Sequence, residues 1–109
     1  MDLVLELQKK IQQLEVSIKE LRKSGTNLAQ AEKDYKIELR MEILKLRDEG
    51  VAVGIIDKIC YGIPSIAELR FKRDVADTIY KANLEAINGI KLQIRIIQNQ
   101  IDKVYGSND

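Results

Sequence analysis

The sequence contains no histidine and no tryptophan, and its 109 residues include one cysteine and one proline. The absence of histidine excludes a Ser-His-Asp triad, a histidine general base and a histidine-ligated zinc site. The lone Cys60 excludes an internal disulfide bond and a thiolate zinc cluster. We therefore predict a protein that is not an enzyme and that binds no metal and no other cofactor.

Long apolar runs are also missing. No run approaches the ~20 residues that a membrane-spanning helix needs, and the start of the chain lacks the basic segment of a signal peptide. The formal net charge is +1 and the isoelectric point is about 7.8, whereas nucleic-acid-binding domains are usually more basic. We expect a cytoplasmic protein without a membrane partner, for which direct nucleic-acid binding is the less favoured alternative.

The composition favours helices. Charged residues make up 32% of the chain and apolar residues 45%, with six glycines and one proline to break helices. The predicted fold class is all-α, with long amphipathic helices that form a coiled coil or helical bundle. We predict one helical domain over residues 1–109, made of an N-terminal arm (1–49), a hydrophobic connector (50–64) and a long C-terminal helix (65–105).

Apolar residues in the first part of the arm recur three and four positions apart, which is heptad spacing. They are Val4, Leu7, Ile11, Leu14, Ile18 and Leu21. Residues 24–27 interrupt the pattern and leave two alternatives. Either the chain turns there and folds back, which is slightly preferred, or one helix continues, because Leu21 and Leu28 lie one heptad apart.

The second part of the arm has two apolar stripes, which predicts contacts on two sides. One stripe consists of Leu28, Ala31, Tyr35, Leu39 and Leu46, and the other of Ile37, Met41 and Leu44. Gly50 is expected to end this helix. In the connector we predict a short buried helix near residues 55–60. Ser65 and Glu68 form a capping-box pattern that predicts the start of the last helix.

A second heptad seam lies in the C-terminal helix. Its members are Ile87, Ile90, Ile94, Ile97, Ile101 and Val104. Because a helix of roughly 40 residues is too long for a small monomer to cover, we predict that this seam forms a homo-oligomer. The pair Asn88-Gly89 is typical of turns, but the heptad phase continues through it. We interpret it as a helical site of close backbone approach.

The basic cluster around residue 70 contains the candidate partner contacts. Arg70, Phe71 and Arg73 combine the residue types that dominate protein interfaces, although basic side chains beside an aromatic residue also suit nucleic acid. Cys60 lies in an apolar segment and is expected to be a buried structural residue. The acidic pairs Asp74 with Asp77 and Glu38 with Glu42 are expected on solvated helix faces, without a metal.

The segment from Tyr35 to Val104 resembles small coiled-coil proteins of phages and prophages of Gram-positive bacteria. The resemblance is carried by residues 35–50, 67–77, 79–82 and 92–101 together with the connector that ends at Gly62. It implies a short, non-catalytic helical protein. Two functions are expected for such a protein: to bind and sterically inhibit a host or bacterial-defence protein, or to serve as an accessory or scaffold protein in phage DNA replication or recombination.

Overall fold

The structure is a computed structural model that describes residues 2–106. Over this range the chain forms three α-helices and no strand: α1 (Leu3–Asp48), α2 (Val53–Tyr61) and α3 (Pro64–Tyr105). The predicted all-α class is confirmed. Contacts group the chain into two compact units. The first takes in the chain up to Lys23 and from Tyr80 onward, and the second is Ser24–Ile79.

Helix α1 continues through residues 24–27, so the turn that was preferred there is wrong. Gly25 costs about 1 kcal/mol relative to alanine inside a helix, but no proline interrupts the segment. Ser24 is buried, and no buried side-chain polar atom among the described residues lacks a hydrogen-bond partner. The inward stripe of α1 therefore passes through this segment without a break, and burial along it outweighs the weak local turn signal.

Gly50 ends α1 as the sequence predicts. Its φ is +82°, a left-handed conformation that glycine adopts without a Cβ clash. The N–H of Val51 donates to the carbonyl of Leu46 at 3.0 Å, and the N–H of Gly50 donates to the carbonyl of Arg47 at 3.1 Å. These two bonds form a Schellman motif, which satisfies carbonyl groups at the end of the helix.

Helix α3 begins one residue earlier than predicted, and Ser65 does not cap it. The carbonyl of Ile63 accepts the N–H of Ala67 at 2.9 Å, which makes Pro64 the first helical residue. Proline suits this position because its φ is already helical and its missing N–H would have no partner there. Ser65 consequently lies inside the first turn, and the capping-box prediction is wrong.

The unit Ser24–Ile79 packs α1 against α3 in antiparallel directions. Tyr35 contacts Arg73, whereas Ser24, which comes earlier in α1, lines a groove with Ile79, which comes later in α3. Helix α2 occupies Val53–Tyr61, somewhat longer than the predicted segment, and buries one side only. The buried apolar residues of the unit are Tyr35, Ile56, Cys60 and Ile66.

In the other unit, the seam that was assigned to a homo-oligomer is covered within one chain. Ile87, Ile90 and Ile97 are buried, and Ile94 and Ile101 are half-buried. The other helical segment of this unit is the start of α1, and the side-chain amide of Asn83 donates to the carbonyl of Glu20 at 3.4 Å. The buried members of this seam therefore have an intrachain partner, and the homo-oligomer stays a prediction. Val104 is exposed.

Gly89 lies within α3, so the turn alternative does not occur there. The close backbone approach that was expected is wrong, however, because a Cβ added at this residue would meet no atom within 4 Å. Gly89 faces open space on an exposed part of the helix.

Replacing Gly50 and Gly89 by alanine should have opposite effects. Gly50→Ala should lower the free energy of unfolding by about 1 kcal/mol, because a side chain is strained at positive φ. Gly89→Ala should raise it by up to about 1 kcal/mol, because alanine favours the helix and meets no obstruction. Urea denaturation followed by circular dichroism measures both values. A destabilised Gly89→Ala variant would contradict a helical residue 89.

Neighbouring isoleucines of α3 provide a matched test of the intrachain seam. Ile97 is 5% exposed and Ile96 is 49% exposed. Ile97→Asp should lower the free energy of unfolding by about 3 kcal/mol, since it buries a carboxyl group among apolar side chains. Ile96→Asp should change it by less than about 0.5 kcal/mol. If Ile97→Asp only reduced the mass of an oligomer and kept its stability, the seam would be intermolecular after all.

Candidate functional site

Arg73, one of the three predicted contact residues, is engaged inside the protein. Its guanidinium lies 4.6 Å from the centre of the Tyr35 ring, and its Nη2 and Nε atoms donate to Asp74 Oδ1 at 2.9 and 3.1 Å. The hydrogen bond to Asp74 raises the pKa of Arg73 above its ordinary value. Because Tyr35 is buried, this cation–π contact helps to join α1 to α3. Arg73 therefore has a structural role in this arrangement.

Arg70 also makes an internal contact. Its guanidinium lies 4.9 Å from the centre of the Tyr61 ring, at the end of α2. This contact joins the last residue of α2 to the second turn of α3. Tyr61 and Arg70 both remain exposed, so the contact is at the surface.

Phe71 points away from Arg73. It is 62% exposed, and it is two residues from Arg73 along the chain, or about 200° around the helix. The three residues that were predicted as one contact site therefore do not share a surface. Sequence proximity brought them together in the prediction, whereas the helical rotation separates them.

The structure groups Phe71 with two other apolar residues instead. Val75 and Ile79 follow at intervals of four residues along the same side of α3, and both are exposed. We call Phe71, Val75 and Ile79 the Phe71 face. Their i, i+4, i+8 spacing was visible in the sequence and was missed, because attention went to the charged neighbours of Phe71.

A groove of about 220 Å³ runs along the Phe71 face. Ala76 and Lys72 of α3 line it, together with Ser24 and Asn27 of α1. The small Ala76 and Ser24 side chains leave space between the two helices, while Phe71 forms one wall. An apolar surface with a few polar groups at its border is suited to the side chains of a protein partner.

The acidic residues offer no comparable site. Asp74 is used by Arg73, and no group of three or more Cys, Asp or Glu side chains in residues 2–106 is arranged to hold a metal ion. Glu38 and Glu42 lie on the inner half of α1 and are half-buried rather than on the solvated face that was expected. Asp74 is exposed, as expected, whereas Asp77 is half-buried.

Cys60 is fully buried, in agreement with the sequence-based expectation. Burial raises the pKa of its thiol, and the carboxylates of Asp57 and Glu42 raise it further. All three causes favour the protonated thiol, whereas nucleophilic chemistry needs an accessible thiolate. The environment of Cys60 is therefore the opposite of the one that activates a cysteine.

Comparisons with known protein families, with characterised proteins and with solved structures found no match to this chain. None of the helices described by the structure is both long and apolar enough to span a membrane.

The thiol of Cys60 should react slowly with a disulfide reagent at pH 8. We expect the native protein to react at least about 100-fold more slowly than the protein unfolded in guanidinium chloride, because the thiol is buried and its pKa is raised. The absorbance of the released thiolate measures the rate. A Cys60→Ala, Ser65→Cys double variant, with its cysteine at an exposed position, should react rapidly when folded. Equal native rates for the two proteins would contradict the buried thiol.

Proposed function

We propose that this protein is a non-enzymatic binding protein that uses the Phe71 face to contact a protein partner. The bound protein sterically blocks the functional surface of that partner. The observation that carries the proposal is the exposed row of Phe71, Val75 and Ile79 on α3, beside an open groove that α1 also lines. Helix faces with apolar residues at such spacing are a recurring means of protein recognition. Aromatic residues that fill a pocket on the partner often dominate the binding energy.

The class of partner follows from the resemblance to phage and prophage proteins. In that context the partner is a host or bacterial-defence protein, and the inhibition is steric and takes place in the bacterial cytoplasm. A direct nucleic-acid contact is not favoured, because the charge of the chain is close to balanced. Of the three predicted contact residues, Phe71 remains in the proposed site, and Arg70 and Arg73 support the helices that present it.

The proposal is tested by capture from a nuclease-treated lysate of a Gram-positive bacterium, followed by titration of the purified captured protein. Phe71→Ala should weaken binding at least about tenfold, since it removes the largest exposed side chain of the Phe71 face. Leu92→Ala is the matched control, because Leu92 is a similarly exposed apolar residue in the other unit of the chain, and it should bind as the wild type does.

Equal binding by the wild type and by Phe71→Ala would contradict the site. Capture from an untreated lysate that is lost from the nuclease-treated lysate would contradict the protein-binding function and support the accessory role in DNA replication or recombination.

A further inference from the structure

The outer side of α1 carries a second exposed apolar row, distinct from the Phe71 face. Ile37, Met41 and Leu44 are 50%, 58% and 43% exposed. Ile37 follows the buried Tyr35 by two residues and so lies on the opposite side of the helix. We call these three residues the outer α1 face. The sequence predicted a contact on this side, and no described part of the chain covers it.

One edge of this face is uniformly basic. Lys33, Arg40 and Arg47 follow one another at seven-residue intervals beside the apolar row, and all three are exposed. No ion pair is made by any of them within residues 2–106. Such a row gives a heptad-spaced set of charges along the whole length of the face.

The local sequence places no acidic residue one helical turn away from these three side chains. No aspartate or glutamate lies three or four positions before or after any of the three, which is where a helix places its neighbouring side chains. Lys36 shows the contrast, because Glu32 lies four residues before it and pairs with it at 3.5 Å. The other basic residues of α1, apart from Arg22, have an aspartate or glutamate three or four positions away, so the basic row differs from them in its local sequence.

The opposite edge is mixed. Glu38 and Lys45 lie along it, while Asp34 and Asp48 stand at the two ends of the apolar row. Asp34 accepts a hydrogen bond from Gln30 at 2.8 Å. An incoming helix would therefore meet uniformly positive charge on one side and mixed charge on the other, which orients it.

Charge complementarity also argues against a second copy of this chain as the occupant. Two outer α1 faces packed antiparallel about Arg40 would set Lys33 against Arg47 and Arg40 against its own copy. Like charges at such flanking positions oppose pairing, whereas opposite charges select the partner. The occupant that fits both the apolar row and the basic edge is a helix with apolar residues at heptad spacing and carboxylates beside them.

We propose that the outer α1 face binds an acidic amphipathic helix of a partner protein. Ile37, Met41 and Leu44 contact its apolar residues, and Lys33, Arg40 and Arg47 pair with its carboxylates. This site lies on α1, whereas the Phe71 face lies on α3, so the protein has two separate binding surfaces. The proposal does not depend on the function of the Phe71 face.

The test uses two synthetic peptides of three heptads. Both have leucine at the a and d positions; the acidic peptide has glutamate at e and g, and the basic peptide has lysine there. Fluorescence anisotropy with the full chain should show the acidic peptide binding at least about tenfold more tightly, and its affinity should fall as salt is added. Equal affinities would overturn the proposal.

Variants of exposed residues locate the peptide. Arg40→Glu and, independently, Arg47→Glu should each weaken binding of the acidic peptide about tenfold. Met41→Asp should abolish this binding. Arg95→Glu is the control with the same change in charge at an exposed position of the other unit, and it should bind normally. Phe71→Ala should also bind normally. A loss with Phe71→Ala, or equal losses with Arg40→Glu and Arg95→Glu, would overturn the assignment.

The other possible occupants are tested in parallel. Sedimentation of the protein alone reports a second copy, and co-sedimentation with vesicles of equal parts phosphatidylcholine and phosphatidylserine reports an anionic membrane. We expect neither the mass nor the vesicle-bound fraction to change with Met41→Asp. A dimer, or vesicle binding, that Met41→Asp removes would show that the face has a different occupant.

Discussion

Each long helix buries one narrow stripe of side chains on the other long helix, and every other feature of the molecule depends on this constraint. A helix covered on one side can hide only the residues that recur three and four positions apart along that side. In Ser24–Ile79 the stripe includes Tyr35 and Ile66, and in the other unit it includes Ile87, Ile90 and Ile97. Apolar residues on the other sides of these helices, such as Ile37 and Phe71, stay exposed to water.

This constraint explains why polar side chains share in the internal contacts. A two-helix interface is too thin to enclose many residues, so the aromatic ring of Tyr35 is covered by the guanidinium of Arg73 rather than by another apolar group. Arg73 is in turn held by Asp74, and Arg70 covers Tyr61 in a similar way near the end of α2. The charged cluster that the sequence suggested as a contact site is thus largely part of the scaffold. Phe71, by contrast, is exposed and lines the groove.

The same constraint leaves two apolar rows without an intrachain partner. The Phe71 face lies on α3 beside a groove between small side chains, and the outer α1 face lies on α1 beside an unpaired basic row. Their chemistry differs, because the first is an apolar groove with a polar border and the second combines apolar residues with positive charge on one edge. Two surfaces of different character suit partners of different chemistry.

The sequence by itself determined the helices, because heptad spacing, a single proline and the glycine at residue 50 are local signals. It also identified the buried Cys60, and it placed Ile37, Met41 and Leu44 on a separate face of α1 from the stripe that contains Tyr35. It could not decide whether residues 24–27 turn, since a weak local preference there competes with burial along the whole helix. Nor could it decide what covers the seam from Ile87 to Ile101. The same heptad spacing packs equally well against a helix of a second chain or against another helix of the same chain. Only the tertiary structure assigned that seam to α1, and only the tertiary structure placed Arg73 against the ring of Tyr35.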